Sequence, residues 1–264
     1  MAALVGPKLV EEHIRRSKLL QVAWEKLTRD EEVEALLRMA NINAVARLLY
    51  NDHGPMHARI VAGSALEIAD ILFQSGLLPT SVQQGTAAGL DEARLIILLA
   101  AYLHDIGNAL HRENHEFAGS LMAMRILDRL LPEILPREPL KRLKMLEMEV
   151  AHAIYATHPA VEALTLEASI VKVADATDMA EGRARYPYKR GKSDIHAISA
   201  LSIKKVELSR GEEKPLRISV YMSDRAGYFQ IERVLLPKVQ SSQLRGLLEI
   251  EPVVDGTRER LIIP

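Results

Sequence analysis

Apolar positions along the first 180 residues recur at helical spacing. Val10, Ile14, Leu19, Val22, Ala23 and Leu27, followed by Val33, Leu36, Leu37, Met39 and Ala40, predict helices across residues 8–50. Gly54 and Pro55 interrupt the pattern, and a proline in a first turn predicts a new helix. Its stripe is Ile60, Val61, Ala65, Ile68, Ala69 and Leu72, and Gly76 closes it. Residues 77–90 (LLPTSVQQGTAAGL) read as a loop. Asp91 is the expected cap of a helix running through LIILLAAYLH to Gly107, apolar nearly all round and therefore the central buried helix. Further helices fit 114–131, 137–157 and 164–182, with Pro132, Pro136 and Pro159 as punctuation.

The texture changes after about residue 206. LRISVY at 216–221 alternates as a strand does. AGYFQIERVLL at 226–236 predicts a helix capped by Asp224. Segments 247–254 and 258–263 predict strands joined at the turn Asp255-Gly256. The expected fold is mainly α: a helical body over 1–205 and a small C-terminal α+β domain over 206–264.

Composition narrows the function. A chain of 264 residues, 48% hydrophobic and 26% charged, can bury a core unaided, which excludes disordered and fibrous classes. The absence of cysteine excludes disulfides, thiolate zinc sites and cysteine nucleophiles. Lys+Arg 34 against Asp+Glu 35 leaves no global basic footprint for nucleic acid, though a local patch stays open. The longest apolar run, Leu95 to Leu103, is too short to span a bilayer, and no secretory signal pattern opens the chain. The expectation is a soluble cytoplasmic protein. Few Asn and Gln, with no Cys, hint at a thermophile.

Candidate chemistry centres on Tyr102-Leu103-His104-Asp105-Ile106-Gly107, where a very apolar helix delivers an imidazole and a carboxylate and stops at glycine. Burying both groups is unfavourable by several kcal/mol unless something compensates, and a metal ion does so. By itself the dipeptide reads more simply as a solvated helix end. His57 upstream (HGPMHARIV) and Asp175 downstream (IVKVADATD), each at the polar end of an apolar run, change that balance. The order His57, His104-Asp105, Asp175 resembles the H…HD…D pattern of the HD-domain metal-dependent phosphohydrolase superfamily, over roughly residues 50–185.

The resemblance implies an all-α domain with His57, His104, Asp105 and Asp175 as metal ligands. Two imidazoles and two carboxylates suit Mn, Fe, Co, Ni or Zn, with Mg less well matched. HEFAGSLMAMRIL resembles the helix that supplies a further ligand, His115, in binuclear members, and AIYATH resembles the segment supplying His158, with Asp105 bridging two ions. His152 and His158 lie six residues apart and on one helix would face differently, so they should not share an ion; His152 is the alternative to His158. His111 reads as an exposed histidine. Asn108 stands where the family often has lysine, and no GYP motif is present. His53 lies four residues before His57 and is held off the helix by Gly54-Pro55. A resemblance to cyclic-nucleotide phosphodiesterases, with Gly54 in place of their Asn, makes His53 a candidate leaving-group acid, against a plain loop histidine.

Five basic residues fall within 181–192 (EGRARYPYKRGK). Arg183 and Arg185 are candidate phosphate-binding forks; Lys189, Arg190 and Lys192 read as a solvated loop. The resulting expectation is a phosphohydrolase that cleaves a nucleotide or other phosphate mono- or diester by metal-activated water, with one or two divalent ions and Asp105 and His53 as catalytic residues. A non-enzymatic nucleotide sensor or dimerisation protein on the same fold is the alternative, and a purely structural helical protein is the third reading. A homodimer is compatible with all three.

Overall fold

The computed structural model describes residues 2–180 and 195–264. The body is built of helices α1 (Leu9–Ile14), α2 (Lys18–Arg29), α3 (Glu31–Asn41), α4 (Pro55–Gln74), α5 (Thr80–Gln83), α6 (Leu90–Leu103), α7 (His115–Ile134), α8 (Leu140–Tyr155) and α9 (Leu166–Thr177). A π turn, Ile42–Arg47, prolongs α3, and a 3₁₀ turn, Ile106–Ala109, follows α6. Asp30 caps α3 by accepting the Val33 N–H, and Thr165 caps α9 by accepting that of Ala168.

Every residue from Leu95 to Leu103 is buried, so α6 is the central helix, packed by α2, α4, α8 and α9. Three local expectations are corrected. The stretch 77–90 contains the short helix α5, fixed where the Ser81 N–H and hydroxyl both donate to Glu167. Gly89, not Asp91, precedes α6; Asp91 lies in the first turn and accepts from the Ser17 hydroxyl at 3.2 Å. Pro132 does not end α7, which runs on to Ile134.

Helix α10 (Ile195–Ser202) leads into the sheet, formed by β2 (Ile203–Arg210), β3 (Leu216–Met222), β4 (Leu248–Val254) and β5 (Thr257–Arg258), with β1 (Ala3–Leu4) at its far edge. The order is β1-β2-β3-β4-β5, antiparallel except for the parallel β3/β4 pair. A parallel pair needs a crossover. Tyr228–Gln230, the π turn Ile231–Leu235 and Leu236–Gln240 run on as one helix, α11, that supplies it. Asp224 caps this region as expected, accepting the Ala226 N–H. The turn at Asp255-Gly256 has both φ angles positive, 47° and 78°, which the residue types tolerate. Beyond it the expected strand 258–263 is reduced to Thr257–Arg258 and a single bridge, Ile250 to Ile262.

Leu216, Ile218, Val220, Leu248 and Ile250 point into the same apolar cluster as α4 and α6. The opposite sheet face is polar and locked: Arg217 Nε donates to Glu249 Oε1 at 2.6 Å and the Ser219 hydroxyl to Glu251 Oε2 at 2.8 Å. The sheet packs on α4, and α11 packs on α9. That second contact brings a C-terminal helix to the end of the helical body that carries the histidines.

Candidate metal centre

Three helix ends converge. His57 stands in the first turn of α4, His104 and Asp105 follow the last residue of α6, and Asp175 lies in the last turn of α9. Asp105 turns the chain sharply with φ −100° and ψ 0°, a sparsely occupied region where active-site residues are often found. The glycine two residues later is required by packing. A Cβ on Gly107 would lie 1.9 Å from the His115 carbonyl oxygen and 2.6 Å from the Gly119 nitrogen. Gly107 and Gly119 thus let the end of α6 and the start of α7 touch backbone to backbone, which carries His115 to Asp105.

Four donor atoms face one point. His57 Nε2 lies 3.2 Å from Asp175 Oδ1, 3.4 Å from Asp105 Oδ2 and 3.2 Å from His104 Nε2. His104 Nε2 lies 3.5 Å from Asp105 Oδ2 and 3.6 Å from Asp175 Oδ1. Two ligand atoms each about 2.1 Å from one ion at a tetrahedral angle lie about 3.4 Å apart, which these imidazole–imidazole and imidazole–carboxylate separations match. Hydrogen bonding fixes the tautomers that make this a cation site. His57 Nδ1–H donates to Asp178 Oδ2 at 2.7 Å, and His104 Nδ1–H to the Ala101 carbonyl at 2.8 Å. Both Nε2 atoms therefore turn lone pairs inward, toward each other and toward carboxylates. Asp105 Oδ2 is buried without a hydrogen-bond partner. Lone pairs facing lone pairs, with an orphaned carboxylate oxygen among them, fit a divalent ion; among the described residues His57, His104 and Asp105 form the group whose ligand atoms all lie close enough to share one, with Asp175 beside both imidazoles.

Burial would raise the pKa of Asp105, but the imidazoles of His104, His53 and His57 and the hydrogen bond from His115 hold it well below the usual carboxylate range. Burial opposes Asp175 likewise, and Lys238 and then His104 outweigh it. Two ionised carboxylates balance one divalent charge.

The remaining candidates divide. His115 Nε2 lies 3.4 Å from Asp105 Oδ1, while its Nδ1 faces the Arg112 carbonyl at 2.9 Å and Glu116 at 3.0 Å. Burial acts to lower its pKa, yet Asp105 and Glu116 raise it to about 9. Arg112 Nη1 is 3.2 Å from His115 Nε2, the nitrogen that would serve a second ion. His158 Nδ1 accepts the Ala160 N–H at 3.2 Å, a bond that leaves the proton of a neutral ring on Nε2. His152 Nε2 is engaged by the Leu164 N–H at 3.1 Å, and His111 is exposed. His53 lines the cavity above the four donors with its ring centroid 5.7 Å from that of His57 and its Nδ1 bonded to the Asn51 carbonyl at 2.6 Å. Arg183 and Arg185 lie outside the described residues.

Several residues of the site were not legible as such. Asp178 follows Asp175 by three residues, and that i, i+3 spacing of acids was available in ADATD. Asn108, at the position where lysine was expected, donates to Asp105 Oδ1 at 2.9 Å and accepts from Arg112 at 3.2 Å. Arg233 and Lys238 reach the cavity from α11, with no motif to mark them. The cavity measures about 500 Å³ and is walled by Tyr50, His53, Arg112, His115, Asp175, Arg233 and Lys238, among others.

Imidazoles and carboxylates turned inward from separate helix ends define a class, the helical proteins with a candidate metal site. The model of the HD domain matches residues 54–180. MJ1020 of Methanocaldococcus jannaschii, an uncharacterized protein, is 39% identical over 230 residues, 87% of each chain. No solved structure matches. The chain belongs to the HD-domain superfamily of metal-dependent phosphohydrolases. Among the described residues no helix is long and apolar enough to cross a membrane.

Proposed function

We propose that the protein hydrolyses a phosphate mono- or diester, of a nucleotide or other small molecule, with one divalent ion held by His57, His104, Asp105 and Asp175. The observation that carries this reading is the set of inward lone pairs, 3.2 to 3.6 Å apart, at the floor of a cation-walled cavity. The donor set favours Mn, Fe, Co, Ni or Zn over Mg. A divalent ion there supplies Lewis acidity and lowers the pKa of bound water toward about 7.

The protein's own residues do the rest. Asp178 and the Ala101 carbonyl hold the two imidazoles in the tautomer that offers Nε2. Asn108 fixes the plane of Asp105. Arg112 stands at the cavity wall beside His115, and Arg183 and Arg185, in the basic segment that follows Asp175 along the chain, are the phosphate forks. As an imidazolium, His53 keeps its Nδ1–H on the Asn51 carbonyl and hands its Nε2 proton to the departing oxygen, leaving the neutral ring. A second ion at Asp105, His115 and His158 requires both Arg112 and the His158 ring to release their bonds, so this reading assigns one ion.

The test is elemental analysis and turnover on one preparation. Protein purified without chelator should carry about one transition-metal ion per chain, by ligand count, and hydrolyse nitrophenyl phosphate mono- or diesters with Mn. Asp105→Ala should lose both. Metal without turnover on a broad ester panel would favour the nucleotide sensor; unchanged metal in Asp105→Ala would sink the ligand assignment.

A further inference from the structure

We propose that one face of α11 is the phosphate-binding wall of this site, with Lys238 and Arg233 as the cations that hold the phosphoryl oxygens. The inference rests on the phosphohydrolase reading and names residues outside the matched helical domain as its substrate contacts.

Geometry comes first. Gln230, Arg233, Val234 and Lys238 all border the cavity, at spacings of three, four and eight residues that put them on one helical face. Lys238 Nζ donates to Asp175 Oδ2, while Asp175 Oδ1 faces His57 Nε2 at 3.2 Å. The ammonium therefore stands one carboxylate away from the metal donors, where a phosphoryl oxygen would arrive. An ammonium has three N–H groups, and Asp175 takes one. Its side chain keeps 11% exposure and that of Asp175 18%, so the pair opens onto the cavity while the other three donor side chains are sealed.

The placement is built into the fold. The end of α11 is bound to the helical body by bonds converging on Ser241 and Gln243. Buried Lys172 donates to the Ser241 carbonyl at 3.3 Å, and the Ala163 N–H donates to the same oxygen at 3.1 Å. The Gln243 N–H reaches the Ser169 hydroxyl at 3.0 Å. Within α11 the turn Ile231–Leu235 is π-helical and ends two residues before Pro237, whose ring would crowd the Arg233 carbonyl of a regular helix. Arg233 and Val234 lie within this turn, and π turns of this kind are concentrated at functional sites.

Charge makes the same point. Among the described residues lining the cavity, the carboxylates Asp105, Glu116, Asp175 and Asp178 stand with the cation of Arg112, and α11 adds two further cations, Arg233 and Lys238.

The experiment uses the full-length protein loaded with Mn, as wild type, Lys238→Met, Lys238→Arg and Arg233→Gln. It measures metal content, the Kd of inorganic phosphate, and KM and kcat on nitrophenyl phosphate. Lys238→Met should keep its metal and bind phosphate about 10- to 100-fold more weakly, with KM rising more than kcat falls. Arg233→Gln should shift in the same direction by less, and Lys238→Arg should recover part of the loss. Wild-type phosphate affinity in both Lys238→Met and Arg233→Gln overturns the inference, as does loss of metal in Lys238→Met with unchanged phosphate affinity per loaded chain, which makes Lys238 a prop for Asp175. A wild type that binds no phosphate also overturns it. A wild type that binds phosphate through Lys238 yet hydrolyses no ester sinks the hydrolase reading and leaves this one standing.

Discussion

Gly107→Ala puts a methyl group where two backbones already touch. Its Cβ would lie 1.9 Å from the His115 carbonyl oxygen, and ordinary contact begins near 3.4 Å, so the start of α7 must retreat by about 1.5 Å. No rotamer can absorb this, because the obstructing atoms belong to the main chain. The same retreat would stretch the 3.4 Å separation of His115 Nε2 and Asp105 Oδ1 to nearly 5 Å. Overpacking usually costs about 1–3 kcal/mol, and a backbone clash this short belongs at the top of that range or above it. Gly119→Ala is the control. Its Cβ meets main-chain atoms of Gly107 and His104 at 3.2–3.5 Å, a few tenths of an ångström inside ordinary contact at the nearest, and alanine gains up to about 1 kcal/mol of helix propensity in mid-helix, so it should cost far less than Gly107→Ala. Urea denaturation of both variants, with the Mn affinity of whatever remains folded, reads the two effects. Gly107→Ala as stable as Gly119→Ala would refute the packing argument and with it the account of how His115 reaches the site.

Three further outcomes are expected. Asp178→Ala removes the acceptor that fixes His57, so metal should bind about 10- to 100-fold more weakly in a chelator competition; unchanged affinity would detach Asp178 from the site. His53→Ala should slow an alkyl phosphate ester by about 10²- to 10⁴-fold while barely affecting a nitrophenyl ester, whose leaving group needs no proton; equal losses on both esters would rule it out as the acid. Buried His13 lies between Glu67 at 2.9 Å and Asp70 at 3.0 Å, with Arg16 and Arg94 also on Asp70. Burial alone would lower the His13 pKa, but these carboxylates raise it. Its contribution to stability is then fully present below the unfolded value of 6.5 and fades as pH rises through the folded one. His13→Gln should be less stable than wild type by about 1–3 kcal/mol at pH 6, and urea midpoints should converge in alkali; a gap that widens with pH contradicts the pairing.

Much of the helical body was legible because an amphipathic helix writes its buried face into the sequence at 3.6-residue spacing, and because α6, apolar all round, has nowhere to lie but the centre. The four candidate metal donors were legible through their order along the chain, His57, His104-Asp105, Asp175, each at the polar end of an apolar run, in which the resemblance to the H…HD…D pattern lies. Errors fell where local rules compete. Asp91 resembled a cap, yet Gly89 precedes the helix and Asp91 is used by Ser17 instead. Pro132 resembled a stop, yet α7 continues past it because its apolar face is still buried at Ile134.

The sequence alone determined which side chains could bind a metal and which stretches would be helices, since both follow from residue type and short-range spacing. Only the tertiary structure decided which of the nine histidines meet. His57 and His104 come to 3.2 Å across 47 residues, while His152 and His158 spend their acceptor nitrogens on nearby backbone. It also decided that Asp175 would face a cation from α11, 63 residues further on. The β3/β4 crossover fixes that encounter, and no local pattern records it, because the distance between two helix ends is set by what packs between them.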